Sequence, residues 1–314
     1  MTPDRAGLPA PALSVIVASY NSRSTIERCL ASLDDQTLRD FETIVVDSSP
    51  DGTAGFIAER FPRVRLHRAS RRLYPGDARN TGIALSRAPV IAFLDSDSYA
   101  APTWAEEIIK AHADPYPAIG GVVDTANPES RVAWAAYFCE FSQWMPGFER
   151  RSMRDIPTCC LSLKRWVFER YGSYLEGSYC SDTALNWKLA DSGFPPLFLP
   201  SIRIFHVNIT VWNRFLRKQV MHGEAFAGVR VRERRLSRSL SAALTFGTPL
   251  LPLILLVRIG FRVFESRVYL RNFFRVVPLV LIGLAAWSWG EARGYFLCLG
   301  SSHPVYNTED TQKS

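Results

Sequence analysis

The sequence predicts an α/β protein: a mostly parallel, Rossmann-like sheet flanked by helices, followed by a C-terminal helical, membrane-associated region. Three observations predict it. Short apolar runs alternate with amphipathic ones through the first half of the 314 residues. The polar residues of that half gather just after the apolar runs, where open α/β sheets bind ligands. Two long charge-free stretches lie near the C-terminal end, set among arginines.

Leu13–Ala18 reads as a buried strand that stops at Tyr20-Asn21-Ser22. Ser24-Thr25-Ile26-Glu27 then reads as a capping box opening a helix through Leu33. Thr43–Asp47 is the second strand, closed by the polar turn Ser48-Ser49-Pro50-Asp51-Gly52. Val64–His67 is a short third strand. A helix near Gly76–Ser86 leads into the strand Val90–Leu94, which ends in Asp95-Ser96-Asp97, and Ile119–Val123 is a further strand. Beyond residue 129 the pattern changes. Val132–Phe141 is apolar and aromatic, Thr158–Leu163 re-enters the sheet, and Phe198–Phe205 is strand-like. Asp182–Ala190 and Val211–Gly223 read as helices.

Composition bounds the function. With 47% hydrophobic and 21% charged residues the chain is not disordered. The net charge of +7 hides an asymmetry: residues 1–200 sum to −3 and the remainder to +10. A basic tail beside apolar runs points to a membrane surface, and no zinc-finger, RNP or basic-zipper pattern points to nucleic acid. None of the six cysteines forms a C-x-x-C pair, so they read as small core residues of a reducing compartment. Asp4 and early prolines precede an apolar stretch too short for a secretory signal, which predicts that the bulk of the protein stays in the cytoplasm.

Carboxylates carry the chemistry. Asp47 ends one predicted strand, and Asp95 and Asp97 end another. In an extended segment residues i and i+2 point the same way, so the pair can converge on one divalent cation, or on a metal and a ribose. A site of carboxylates and substrate phosphate oxygens suits Mg²⁺ or Mn²⁺. Taken alone, the D-x-D pair is a weak signal, and a solvated turn with a helix N-cap is its better reading.

Four motifs occur in a characteristic order: Ser-Val-Ile-Val-Ala-Ser-Tyr-Asn at 14–21, Ile-Val-Val-Asp-Ser-Ser-x-Asp-Gly-Thr at 44–53, Ala-Arg-Asn-x-Gly at 78–82 and Phe-Leu-Asp-Ser-Asp at 93–97. Together they resemble the family 2 glycosyltransferases, whose fold is GT-A, over roughly the first two thirds of the chain. The resemblance implies that Asp47 pairs with the nucleobase, usually uracil. Ser19, Tyr20 and Asn21 would lie beside the nucleotide, with Ser49 and Asp51 in the following turn. Arg79 and Asn80 would approach the ribose and diphosphate, Asp95 the ribose, and Asp97 the metal. A histidine after the late strand can approach the metal or diphosphate in related enzymes, which makes His206 a weaker second ligand beside a structural alternative.

On the acceptor side, Gly172-Ser-Tyr-Leu-Glu176 followed by Ser181-Asp182-Thr183-x-Leu185 resembles the family segment that ends in a Glu-Asp pair. Asp182 would be the general base of a single displacement with inversion, and Ser181 departs from the family by replacing the Glu. A helix N-cap is the structural alternative for Asp182. The processive signature Q-x-x-R-W is absent, because Ser162 stands where Gln is needed before Arg165-Trp166, so one sugar is expected per encounter. Trp134, Tyr137, Phe141 and Trp144 read as a core or lid cluster.

The tail is read from its lengths. Ser239–Val257 is 19 residues without a charge and would span ~28 Å as a helix kinked by Pro249 and Pro252. Val276–Gly290, 15 residues, reaches only ~22 Å, short of the ~30 Å hydrocarbon core. Arg258, Arg262, Arg267, Arg271 and Arg275 lie between, and crossing would put them outside, against the positive-inside tendency. The expectation is a re-entrant or in-plane hairpin on the cytoplasmic leaflet, with a two-pass hairpin and a buried helical core or dimer interface as the alternatives.

The expected organisation is a flexible N-terminus (1–12), a nucleotide-sugar-binding half (13–125), an acceptor-binding half with the base and basic helices (126–235), hydrophobic membrane-associated helices (236–300) and a disordered tail (301–314). The expected activity is metal-dependent, inverting, non-processive transfer of a sugar from a nucleotide-sugar donor, UDP-linked, to a lipid-linked or cell-envelope glycan acceptor. A nucleotidyltransferase and a non-catalytic binding subunit of the same fold are the alternatives. Tyr20-Asn21-Ser22-Arg23 is a poor match to the Gly-rich phosphate loop that the first of these needs.

Overall fold

The computed structural model describes residues 9–300, so the expectations for residues 1–8 and for the 301–314 tail lie outside the described residues. The described chain forms two compact units. The first comprises residues 9–126, 148–176 and 185–207, and the second residues 127–147, 177–184 and 208–300.

The first unit is built on one sheet. Its strands are β1 (Leu13–Ser19), β2 (Phe41–Asp47), β3 (Arg65–Arg68), β4 (Val90–Asp95), β5 (Ser98–Ala100), β6 (Ala118–Thr125), β7 (Arg151–Ser152), β8 (Leu161–Lys164) and β9 (Leu197–His206). The order is β3-β2-β1-β4-β8-β6-β9-β5, with β7 paired to β9. The long ladders, β1 with β2 and β4 and β6 with β9, are parallel, whereas the antiparallel ladders of β5, β7 and β8 are two or three residues long. Val15, Ile16 and Val17, with Val45, Val46, Ala92 and Phe93, are fully closed off from solvent. Burial of both strand faces explains why these segments read as continuous apolar runs rather than alternating ones. The register sets Ser19 opposite Asp47 and Ala18 opposite Asp95, so the polar residues line up along one edge.

Helices α1 (Ile26–Asp34), α2 (Thr53–Arg60), α3 (Pro75–Leu85) and α4 (Trp104–His112) connect these strands. The capping box expected at Ser24–Glu27 does not form. Thr25 is the cap residue and makes no side-chain cap bond; its hydroxyl donates to the Ser22 carbonyl instead. Helix α2 had no visible periodicity because it buries only Thr53 and Ile57. A 3₁₀ turn (Thr158–Cys160) precedes β8, so only the second part of Thr158–Leu163 is sheet.

The second unit is helical. It contains α5 (Arg131–Phe141), whereas α6 (Trp166–Tyr171) belongs to the first unit, and α7 (Ser181–Asp191) starts in the second and continues into the first. It continues with α8 (Trp212–Glu233), α9 (Arg238–Gly247), a 3₁₀ turn (Thr248–Leu250), α10 (Leu251–Ser266) and α11 (Leu270–Gly300). Pro249 and Pro252 do interrupt the first charge-free stretch: the 3₁₀ turn at Pro249 separates α9 from α10. The second stretch is no 15-residue helix. Helix α11 has 31 residues and runs through Glu291 and Arg293, because both charges find partners inside the unit. Glu291 accepts hydrogen bonds from Tyr295 Oη (2.7 Å) and Trp287 Nε1 (3.0 Å), and Arg293 pairs with Glu224 at 3.3 Å. Helices α8 and α11 touch backbone to backbone. A methyl on Gly223 would collide with the Trp287 carbonyl, and one on Gly290 with the Val220 carbonyl. Trp134, Tyr137 and Phe138 form, with Tyr269 and Phe273, the aromatic core expected of that segment.

Candidate active site

At the C-terminal edge of the parallel strands the loops converge on two carboxylate centres. Asp47, last residue of β2, is 2% exposed. Its Oδ1 accepts from the hydroxyls of Ser19 (2.6 Å) and Ser49 (2.7 Å), while Oδ2 takes only the longer contact from the Ser49 amide, 3.3 Å. Ser49 in turn accepts from the amide of Asn21, whose φ of 52° turns the chain after β1 in a way Asn tolerates. Tyr20 is on the surface beneath the Arg72 guanidinium, 4.5 Å from its ring centroid. Asp51 closes the next turn. Burial raises its pKa, but hydrogen bonds from the Thr53 hydroxyl and amide and the Arg23 amide outweigh that and hold it below the ordinary value.

The second centre contains Asp95, Asp97 and His206, whose ligand atoms all lie within 4.8 Å of one another. Extended i, i+2 alternation is not what brings the two aspartates together. Strand β4 ends at Asp95, the chain turns through Ser96 and Asp97, and β5 begins at Ser98. The antiparallel pairing of Ser98 with His206 and a hydrogen bond from the Val207 amide to the Asp97 carbonyl (2.8 Å) deliver the imidazole. His206 Nε2 stands 3.5 Å from Asp97 Oδ1, and the ring is buried while Asp97 is open to solvent. Donors on a shared cation at about 2.1 Å lie at most about 4.2 Å apart, so a few tenths of an ångström of closure completes the site. Two carboxylates with one imidazole fit Mn²⁺, and Mg²⁺ less well, because the smaller ion prefers oxygen alone. Burial first, and then Asp97 and Asp95, push the Cys29 thiol far above its ordinary pKa.

Arg79 and Asn80 diverge. Arg79 Nη2 donates to Asp95 Oδ1 at 2.7 Å and so belongs to the carboxylate centre. The Asn80 side chain is engaged with backbone: Nδ2 donates to the Tyr174 carbonyl (2.9 Å) and Oδ1 accepts from the Tyr174 amide (3.0 Å). Asp182 lies in the second unit. It follows Ser181, the first residue of α7, so it sits inside the first turn rather than at the cap, and its Oδ1 accepts from the Thr183 amide at 3.0 Å. Its unit holds a buried polar group that sequence reasoning missed. Glu140 accepts from Lys218 (2.9 Å) and Gln219 (3.1 Å), and the His222 ring lies 5.6 Å from that of Tyr179, tilted at 35°. Burial, aided by Lys218 and opposed by Glu140 and Asp182, pulls His222 down to about 4. Sequence reasoning also missed the Ser22–Ser96 hydroxyl contact, 2.7 Å, which ties the loop after β1 to the Asp-Ser-Asp turn. Its only sequence signal is Ser96 standing between the two aspartates.

The sequence profile described as glycosyl transferase family 2 matches residues 14–172, just over half of the chain. The chain belongs to that family. Among curated relatives, the validoxylamine A glucosyltransferase of Streptomyces hygroscopicus subsp. jinggangensis is 36% identical over 114 residues, covering 34% of this chain and 27% of that protein. The succinoglycan biosynthesis protein ExoO of Rhizobium meliloti is 40% identical over 102 residues, covering 32% of this chain and 29% of its own length. The chain therefore spans under a third of the length of these two relatives. Among solved structures, the mannosyltransferase PcManGT of Pyrobaculum calidifontis, in complex with GDP-Man and Mn²⁺, aligns with a TM-score of 0.57 at 17% identity. That alignment covers 95% of this chain and 77% of the archaeal one, and it establishes a shared GT-A fold. The family matches the expectation from the four motifs, two of which carry the strand-end carboxylates.

Proposed function

We propose that this family 2 glycosyltransferase moves one sugar per encounter from a UDP-sugar to a lipid-linked or cell-envelope glycan, at the cytoplasmic face of the membrane. The observation that carries the reading is the convergence of Asp95, Asp97 and His206 beside a serine-clamped Asp47. Asp95, Asp97 and His206 would hold Mg²⁺ or Mn²⁺, with Mn²⁺ the better fit to the donor set. A divalent cation bound there supplies positive charge against the diphosphate leaving group. Asp47, with Oδ2 the less engaged oxygen, accepts from the N–H of the base, and Ser19, Tyr20, Asn21, Ser49 and Asp51 shape the nucleotide loop. Arg79 orients Asp95 toward the ribose, and Asn80 holds the Tyr174 loop beside it.

Asp182 takes the proton of the acceptor hydroxyl as its oxygen bonds to the anomeric carbon. The bond from that carbon to the nucleoside diphosphate breaks on the opposite side, which inverts the configuration. With Ser181 in place of the family's Glu, Asp182 has no acid directly before it. The acceptor class is supported by the name of the ExoO relative, a polysaccharide biosynthesis protein, and by two helical stretches, residues 238–266 and 270–299, long and apolar enough to cross a membrane by length and composition.

A donor panel of UDP-, GDP- and dTDP-sugars, assayed for free nucleotide with Mn²⁺ and then with a chelator, tests the proposal. The expected result is UDP release that the chelator abolishes. Release of GDP alone, as the archaeal neighbour's ligand invites, would overturn the donor assignment. Pyrophosphate release from UTP would indicate nucleotidyl transfer, and silence with every donor a binding subunit.

A further inference from the structure

We infer that the second unit inserts the outer face of α10 and the first turns of α11 into one leaflet of an anionic bilayer, and that neither helix crosses it. This deepens the membrane association proposed above and rests on that part of the reading, not on the donor chemistry.

The apolar face is continuous and turned away from the protein. Leu250, Leu253, Ile254, Val257, Phe261 and Phe264 are exposed, and their spacing of three and four places them on one side of the helix. The opposite side, Ile259 and Val263, is buried. Phe246 extends the stripe toward α9 and is 85% exposed; Phe261 is 72% exposed. At the other end the Phe264 ring meets exposed Phe274 of α11, centroids 5.9 Å apart, so the two helices share one surface. A monomer in water seldom leaves so large an apolar patch open.

Charge identifies the occupant. Arg258, Arg267, Arg271 and Arg275 are exposed along this surface and make no ion pair among the described residues. From Arg234 to Gly290 the chain contains a single acid, Glu265, against eight arginines. Apolar side chains at the centre with unpaired guanidinium groups at the edge complement the acyl boundary and the anionic headgroups of a leaflet. A second copy of the chain would bring arginines against arginines.

Packing excludes a crossing. Helix α11 lies along α8 from Gly283 against Phe215 to Gly294 against Glu224, and Tyr295 accepts from Arg230 (2.9 Å). Helix α8 carries Arg214, Arg217, Lys218, Glu224, Arg230, Arg232 and Glu233. Carrying α11 through hydrocarbon would drag that charged helix with it, at a heavy cost for each charge. Helix α10 by itself has 16 residues, about 24 Å of rise, and reaches the hydrocarbon thickness only together with α9, which starts at the charged Arg238 and is held to protein through buried Ser241.

The full chain is tested by co-sedimentation with phosphatidylcholine vesicles and with vesicles containing phosphatidylglycerol, alongside donor turnover and light scattering. The expected result is at least tenfold tighter binding to the anionic vesicles. It should be lost in the double variant Phe261→Glu, Phe264→Glu, and weakened in Arg271→Gln, Arg275→Gln. Donor turnover in solution should stay unchanged in both. In cells, an Arg271→Cys variant should react with an impermeant maleimide above the wild-type background only when the cytoplasmic face is exposed. Reaction from the outer face would establish a two-pass hairpin and overturn the inference. So would equal binding to both vesicle types, or a dimer that the Phe261→Glu, Phe264→Glu variant dissolves. Absent donor turnover with intact anionic binding would sink the proposed chemistry alone.

Discussion

Each unit places carboxylates beside hydrogen-bond donors or a histidine, but on opposite terms. In the first, Asp95 and Asp97 have side chains 29% and 44% exposed and face a histidine across a gap of ion size. In the second, Glu291 is 4% exposed and is enclosed by Tyr295, Trp287 and Arg230. A buried charge with its hydrogen-bond capacity met by protein groups is structural. Carboxylates gathered beside an imidazole and partly open to solvent stay within reach of a ligand. An acid enclosed by protein donors, as Glu291 is, has no such reach.

Four predictions sharpen or break this comparison. The largest effect is expected for Asp97→Asn. Turnover should fall by more than about 100-fold, beyond the usual loss from an outer-shell change, while the thermal unfolding midpoint stays near wild type. An unfolded variant would erase the distinction between the two acids. Glu291→Ala should do the reverse, lowering stability by about 3 kcal/mol in a denaturant titration as it strands the Tyr295 and Trp287 donors, with turnover per folded molecule kept. Gly290→Ala should cost about 1–2 kcal/mol by forcing α11 off the Val220 carbonyl. An unchanged denaturation midpoint there would mean the two helices do not meet as closely as described.

The last prediction concerns protons and compares one histidine from each unit. Burial pulls both His112 and His222 from 6.5 down to about 4, with Lys164 and Lys218 respectively adding to the shift. Both are neutral when folded and take up protons more readily when unfolded, so their stabilisation is complete above pH 6.5 and is lost as the pH falls toward 4. Thermal melts across that interval should decline. His112→Asn should flatten the decline in part, and a melt indifferent to pH would contradict the burial of both rings.

Much of the strand-end site was legible before any fold was drawn. Asp47 and Asp95 end unbroken apolar runs, as parallel strands buried on both faces require, and Asp97 follows two residues on. The role of His206 was only weakly legible, since its approach to Asp97 depends on the pairing of β5 with β9 across more than a hundred residues. The Asn80–Tyr174 clasp spans a similar separation and left no local trace. The Ser24 capping box failed for the opposite reason: its local signal was present, but the Thr25 hydroxyl was drawn back to Ser22.

The two C-terminal apolar stretches show where local information ends. Within their most apolar windows, 11% of the first stretch is buried against 39% of the second. Composition established that both would be helices and that arginines would edge them. Which helix packs on protein and which stays uncovered was settled by the close approach of α8 and α11, where Gly223 faces the Trp287 carbonyl and Gly290 the Val220 carbonyl. Period and polarity are properties of neighbouring residues and can be read along a chain, whereas a backbone contact between distant helices exists only once both have folded.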